Sequence, residues 1–269
     1  GFTNALTGVA SAYFSNTPLV FIAGCVGLNH REKLDLQDMS QEPVIRPMVK
    51  KTLVCHNTER IPEFIDMAFR TAASGRPGPV YLEIPVDVLN GQTKTSGVKK
   101  PCTQGRSFPV DLEKAGRILD MIGQARKPVV IAGTGVWQSG AGDDLIQFIE
   151  AAGLPVLTSL SGRGVVPDTH PLCFEGALAI RPGCGFSAYS GTDLVILLGT
   201  RVALYYMFGQ IFNPQAKMIQ VDIQAEELGR NRSIDLPVMS DAGALLRECN
   251  RILKEKGTGD GLKERFSPW

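Results

Sequence analysis

The stretch Ser74-Gly75-Arg76-Pro77-Gly78-Pro79-Val80-Tyr81-Leu82-Glu83-Ile84-Pro85-Val86-Asp87-Val88-Leu89 decides the fold. It opens as a Gly/Pro-dense turn, runs into a short β-branched strand over residues 80–84, and closes that strand at Pro85, which has no N–H to give a sheet. Upstream, Arg60-Ile61-Pro62-Glu63-Phe64-Ile65-Asp66-Met67-Ala68-Phe69-Arg70 places Ile61, Phe64, Ile65, Ala68 and Phe69 on one helical face, with Pro62 suited to a first turn. Further strands are expected over 19–22 and 51–55. The opening residues 1–24 read as loop, small-residue helix, turn and buried strand. Strands alternating with helices imply a mainly parallel sheet. A chain that begins in such a loop, with no strand before it, reads as part of a larger polypeptide.

Downstream, residues 90–110 dissolve into Gly, Thr, Ser, Lys and Pro, the composition of a linker. A second unit follows. The helix expected over 111–124 carries Leu112, Ala115, Ile118, Leu119 and Ile122 on one face. Strands are expected over 128–132, 155–157, 194–198 and 217–222, with helices over 143–152 and 243–254. The alternation predicts a doubly wound, mainly parallel, Rossmann-like sheet with helices on both sides. Residues 257–269 read as another connection.

The chain has 269 residues and a formal charge of +1, from 28 Lys and Arg against 27 Asp and Glu. That balance offers no attraction to nucleic acid or to an anionic membrane. Its apolar runs fall well short of the ~20 residues that span a bilayer. Six cysteines, at 25, 55, 102, 173, 184 and 249, form no Cys-x-x-Cys pair and have no histidine at ligand spacing. Inert thiols in a reduced, cytoplasmic setting are the expected reading.

Three stretches of the second unit sit where ligands settle in open α/β sheets, at the carboxyl ends of strands. Ile131-Ala132-Gly133-Thr134-Gly135-Val136 could bring phosphates close to backbone N–H groups. It lacks the third glycine of the dinucleotide fingerprint and reads equally as a plain tight turn. Leu198-Gly199-Thr200-Arg201 offers a guanidinium fork to phosphate or carboxylate, or to a salt bridge with a helix. Val221-Asp222-Ile223-Gln224 places an acid where a ribose would be held, or where it caps the next turn.

Taken together with Gly1-Phe2-Thr3-Asn4, Leu36-Gln37-Asp38 and Arg46-Pro47-Met48-Val49-Lys50, these motifs resemble the thiamine diphosphate enzyme family of acetolactate synthases, benzaldehyde lyases and 2-hydroxyacyl-CoA lyases. The resemblance implies the C-terminal part of a pyrimidine-binding domain (1–92), a linker (93–110), a middle domain (111–256) and a connection (257–269) toward a diphosphate-binding domain. It implies thiamine diphosphate and Mg2+ in the complete enzyme, a small 2-keto acid or acyl substrate, and a homodimer or homotetramer. In acetolactate synthases the middle domain holds FAD. Carried over, that site implies Gly133, Thr134, Gly135, Thr158, Ser159, Leu160, Gly176, Gly199, Thr200, Arg201, Asp222, Ile223 and Asp241. The synthase turn continues from Gly-x-Arg with an acidic or aromatic-acidic pair, whereas here it runs Val202-Ala203-Leu204. Related lyases hold ADP at this place, and benzaldehyde lyases leave it empty.

The glutamate that promotes the cofactor's imino form lies, in the family, upstream of the Gly-x-Thr-Asn stretch; none of Glu32, Glu42 and Glu83 has a matching context. The chain by itself is therefore expected to be inactive. Gln37 matches the glutamine of the family's Phe-Gln-Glu stretch, and its amide can donate to an oxygen on which charge develops. Gln41 is a nearby alternative. Asn4 resembles the family loop beside the cofactor, or serves with Thr3 as a helix N-cap. Gly259-Asp260-Gly261 imitates the family's metal motif, but no asparagine follows and no buried strand precedes it, so it reads as a flexible tail. No metal ligand is expected in this chain. Two other readings are a nucleotide-binding module without chemistry and a sirtuin-like deacylase, the latter lacking its zinc cysteines.

Overall fold

The computed structural model describes residues 1–93, 110–174, 184–257 and 259–267, the side chains of 184–186 excepted. The chain divides into two compact units, residues 1–105 and 106–269.

The first unit comprises α1 (Phe2–Ser15), β1 (Leu19–Cys25), α2 (Gln41–Ile45), β2 (Lys51–Val54), α3 (Ile61–Ala73), β3 (Pro79–Pro85) and α4 (Val86–Leu89). Its three strands are parallel, in the order β1-β3-β2. Every residue of β3 is buried, because this central strand is covered on both faces. Val80, Leu82 and Ile84 face α3 together with Leu53, Ala68 and Ala72. Tyr81, on the opposite face, packs with Val9 of α1, Ile45 and Val49. Lys50 Nζ donates to the carbonyls of Thr71 and Ser74, both at 2.7 Å, and so closes the C-terminal end of α3.

Several expectations shift here. α1 begins at Phe2, with Gly1 as N-cap and no side-chain capping bond, so neither Thr3 nor Asn4 is a cap. Phe69, expected on the buried face of α3, is 56% exposed, and Ala72 takes the inward position. After Pro85 the chain makes the single turn α4.

The second unit comprises α5 (Leu112–Gln124), β4 (Pro128–Ala132), α6 (Thr134–Gln138), α7 (Gly142–Ala152), β5 (Val156–Thr158), β6 (Cys173–Phe174), α8 (Cys184–Gly191), β7 (Leu194–Leu198), β8 (Lys217–Asp222), β9 (Leu236–Met239), α9 (Ala242–Lys256) and α10 (Gly259–Phe266). All its strands pair in parallel, in the order β6-β5-β4-β7-β8-β9. Alternate side chains of β4 and β7 feed two cores. Val130, Ala132, Leu194, Ile196 and Leu198 meet the helices α5, α7 and α9, while Val129, Ile131, Val195 and Leu197 meet Tyr189, Tyr206 and Phe212. Asp111 caps α5, its carboxylate accepting from Lys114 N–H at 3.1 Å. Leu112, expected on the buried face, is exposed.

Within the expected connection over 257–269, residues 259–266 form the docked helix α10. Phe266 of α10 is 3% exposed within the α5–α7–α9 core, and Arg265 donates to the carbonyl of Gly123 at the end of α5. A buried phenylalanine and a carbonyl partner overturn the reading of Gly259-Asp260-Gly261 as a flexible tail. Among the described residues, no group of three or more His, Cys, Asp or Glu could hold a metal ion, and no helix is long and apolar enough to cross a membrane.

Candidate functional site

In the second unit the strand order reverses between β4 and β7, the place where open α/β sheets leave a crevice beyond their strand ends. Gly133–Gly135 follow β4, Thr158–Leu160 end and follow β5, Gly199–Arg201 follow β7, Asp222–Ile223 end and follow β8, and Asp241 follows β9. The fold thus gathers twelve of the thirteen expected middle-domain residues along one carboxyl edge; Gly176 lies outside the described residues.

The backbone at this edge is already engaged. Gly133 N–H donates to Leu198 O at 2.9 Å, Gly135 N–H to Gly199 O at 3.0 Å, and Gly199 N–H to Val221 O at 2.9 Å. The glycines face one another. A Cβ on Gly199 would stand 2.5 Å from Gly135 Cα, one on Gly135 would stand 2.6 Å from Gly199 Cα, and one on Gly133 would collide with Gly199 O. Gly199 also has φ +56, in the left-handed region. Mutual packing of two turns therefore demands glycine at these positions.

The side chains are likewise committed to the fold. Ser159 Oγ accepts from Gly162 N–H at 3.1 Å, and Asp222 Oδ1 accepts from Gln224 N–H at 2.9 Å. Asp241 Oδ1 accepts from Ala244 N–H at 3.0 Å as the N-cap of α9. Thr158 and Thr200 are buried, and Thr200 hydrogen-bonds the Tyr206 hydroxyl, whose pKa burial pushes up to about 12. Arg201 and Asp222 each have further partners, and Leu160 is exposed. A nucleotide diphosphate needs unspent N–H donors in its cradle. Those of Gly133, Gly135 and Gly199 are spent within the fold, so any such contact at these turns falls to other N–H groups.

In the first unit Gln37 lies on an exposed loop, residues 26–40, between β1 and α2, with φ 64. Glu32 and Leu34 share that left-handed backbone, at φ 63 and 58, a cluster of three non-glycine residues in six positions. The Gln37 side chain makes no hydrogen bond among the described residues, so its amide donors are available. Asn4 is exposed in the first turn of α1, and no hydrogen bond joins it to Gln37. The loop folds on itself through His30 Nδ1 and Asp35 Oδ2 at 2.7 Å, and through Glu32 N–H donating to Asp38 Oδ2 at 2.7 Å. The bond to His30 and the Leu36 N–H hold the Asp35 carboxyl below its ordinary range.

Gln41, the alternative to Gln37, is buried and bonded at both ends of its amide. Its Nε2 donates to Gly24 O at 3.0 Å, which fixes the amide's orientation and leaves Oε1 to accept from the Tyr81 hydroxyl at 3.0 Å. That hydroxyl is shared with Glu83 Oε2 at 3.0 Å, and Arg31 donates to Glu83 Oε1 at 2.8 Å and to Cys25 Sγ at 3.4 Å. Burial, then the neighbouring Glu83, pushes the Tyr81 phenol up; burial pushes the Cys25 thiol up to about 11. Sequence reasoning missed this network. A signal was present, since a charged residue in the middle of the buried strand Val80-Tyr81-Leu82-Glu83-Ile84 requires a partner.

Residues 115–249 match the family described as thiamine pyrophosphate enzyme, central domain. The chain belongs to the thiamine pyrophosphate enzyme family. Among its curated relatives, a probable acetolactate synthase large subunit of Methanococcus aeolicus is 32% identical, over 100% of this chain and 47% of that protein. The acetolactate synthase isozyme 3 large subunit of Escherichia coli is 30% identical, over 100% of this chain and 48% of that protein. The chain thus spans about half the length of the curated relatives it matches. The crystal structure of benzoylformate decarboxylase from Polynucleobacter necessarius superposes with a TM-score of 0.76 at 25% identity, covering 93% of this chain and 47% of that one. For a member of the thiamine pyrophosphate enzyme family, the matched region is the Rossmann-like unit with its glycine-packed switch point, while the likeness to synthases also takes in the Gln37 loop.

Proposed function

We propose that this chain is part of a thiamine diphosphate-dependent enzyme that makes or breaks a C–C bond beside the carbonyl of a 2-keto acid or 2-hydroxyacyl substrate, in the manner of acetolactate synthases. What carries the reading is that the likeness to acetolactate synthases runs through all of the chain and so includes Gln37 with the central domain. When bound, thiamine diphosphate would supply a nucleophilic carbon and an electron sink for that chemistry. The part assigned to this chain is positional. Gln37 holds an amide N–H toward the substrate oxygen on which negative charge develops, and its uncommitted donors fit it for that. Asn4 stands as the second polar group of the site. In this reading Mg2+ and diphosphate contacts belong to a further domain of the longer protein, the chain alone is inactive, and the assembly is a homodimer or homotetramer in the cytoplasm.

The test uses the complete polypeptide supplied with thiamine diphosphate and Mg2+. Product should form from pyruvate, and Gln37→Ala should lower kcat roughly 10²-fold, the cost of one lost oxyanion donor. No product from pyruvate or from 2-hydroxyacyl substrates would sink the proposal and leave an inert nucleotide-binding module.

The occupant of the middle domain separates the synthase from the lyase branch within this reading. The turn after Arg201 enters an apolar knuckle, with Leu204, Tyr205, Met207 and Phe208 exposed, which is compatible with either branch. Purified protein with no visible flavin band would support a lyase with ADP or nothing in the middle domain; a stoichiometric flavin would support the synthase.

A further inference from the structure

The loop that carries Gln37 is strained, yet it is tied to the sheet at three points, each of which reaches the segment β3–α4, while Arg31 and Gln41 also touch Cys25 and Gly24 of β1. At its start, Leu28 N–H donates to Asp87 Oδ2 at 2.9 Å, and Asp87 itself accepts from Val88 N–H at 3.0 Å, which fixes the carboxylate at the first turn of α4. In its middle, Arg31 pairs with Glu83 at 2.8 Å, where the glutamate side chain is 7% exposed and the arginine 39%. At its end, Gln41 is held by Tyr81, which is in turn held by Glu83. Glu83 therefore stands between two of the three ties.

Left-handed backbone at non-glycine residues persists only where the surroundings over-determine it. Glu32, Leu34 and Gln37 receive no such support from burial, because all three are exposed. Internal bonds such as His30–Asp35 shape the loop but do not attach it to anything.

We propose that Glu83 is a positioning residue: acting through Arg31 on one side and Tyr81 and Gln41 on the other, with Asp87 completing the hold at Leu28, it fixes the Gln37 loop against the sheet. The geometry of the loop is then dictated by β3–α4, and a buried charge on a central strand has a reason to exist. A carboxylate is suited to the task because it accepts at both oxygens at once, from a cation and from a phenol. That the held loop serves catalysis rests on the proposed function. The hold itself does not.

Amide hydrogen exchange on the full chain tests it, comparing the segment 28–40 with strand 79–85. In the parent, the bonded N–H groups of Leu28, His30, Glu32 and Lys33 should be protected. Arg31→Met and Glu83→Gln should each speed exchange in 28–40 by roughly tenfold or more, the loss expected for a hydrogen bond to a charged group, with strand 79–85 unchanged. Arg31→Lys should restore part of the protection, which a mere loss of side-chain bulk would not explain. Asp87→Asn should release the start of the loop only. If removing the buried charge unfolds the unit, Arg31→Met and Asp87→Asn, at positions open to solvent, still decide. A loop unprotected in the parent, or exchange in 28–40 indifferent to both of those variants, overturns the proposal. A loop released as expected, beside a Gln37→Ala variant with undiminished product formation, would instead remove Gln37 from the proposed site and leave the hold standing.

Discussion

Replacing Gly199 by alanine separates two explanations for the glycines at the switch point. Gly199 has φ +56, and its added Cβ would lie 2.5 Å from Gly135 Cα, a backbone atom that no side-chain rotation can move away. Placing alanine in left-handed backbone costs about 1–2 kcal/mol, and wedging a methyl group into closed packing adds about 1–3 kcal/mol. The sum, about 2–5 kcal/mol, should lower Tm by roughly 4–20 °C in a unit of this size. Gly140 supplies the control, with φ +64 but nothing within 4 Å of its Cβ, so Gly140→Ala should show the backbone cost alone, about 1–2 kcal/mol. The assay is urea and thermal unfolding followed by circular dichroism, without any nucleotide. If Gly199→Ala costs no more than Gly140→Ala, packing of the two turns is not what demands glycine. A variant of unchanged stability that loses nucleotide affinity would show that the loop is kept for a ligand.

Phe266→Ala should destabilise the second unit by about 3 kcal/mol or more, as for a buried aromatic, with α10 losing exchange protection before α7 and α9; a neutral result would make α10 a loose appendage. Cys25, whose thiol burial and then Glu83 push up to about 11 against the lowering pull of Arg31, should resist iodoacetamide at pH 8 and react faster only as pH climbs toward that value. Glu83→Gln removes a neighbour that raises this pKa, so alkylation at pH 8 should quicken; an unchanged or slower rate would contradict the assigned cause.

Periodicity and punctuation made most of the second unit legible. The strands Pro128–Ala132, Leu194–Leu198 and Lys217–Asp222 agree residue for residue with the expected ranges, since an apolar run bounded by turn residues has few other uses in a doubly wound sheet. β6 and β9 were not foreseen. The first has two residues, and the second carries Pro237 with alternating exposure, so neither shows an apolar run. α10 was missed because two glycines flank its start and only one residue, Phe266, is buried along it.

From the sequence by itself came the class of the fold, the carboxyl-edge placement of the three glycine, arginine and aspartate turns, and Gln37 as the glutamine to watch, because strand propensity, turn chemistry and motif order are local properties. Tertiary structure alone decided what those atoms are free to do. The N–H groups of Gly133 and Gly135 are spent on Leu198 and Gly199, 65 and 64 residues away in the chain, and Glu83 found Arg31 across 52 positions. A hydrogen bond is satisfied by whichever partner is near in space, and nearness between distant residues is fixed only when the sheet closes and its helices pack.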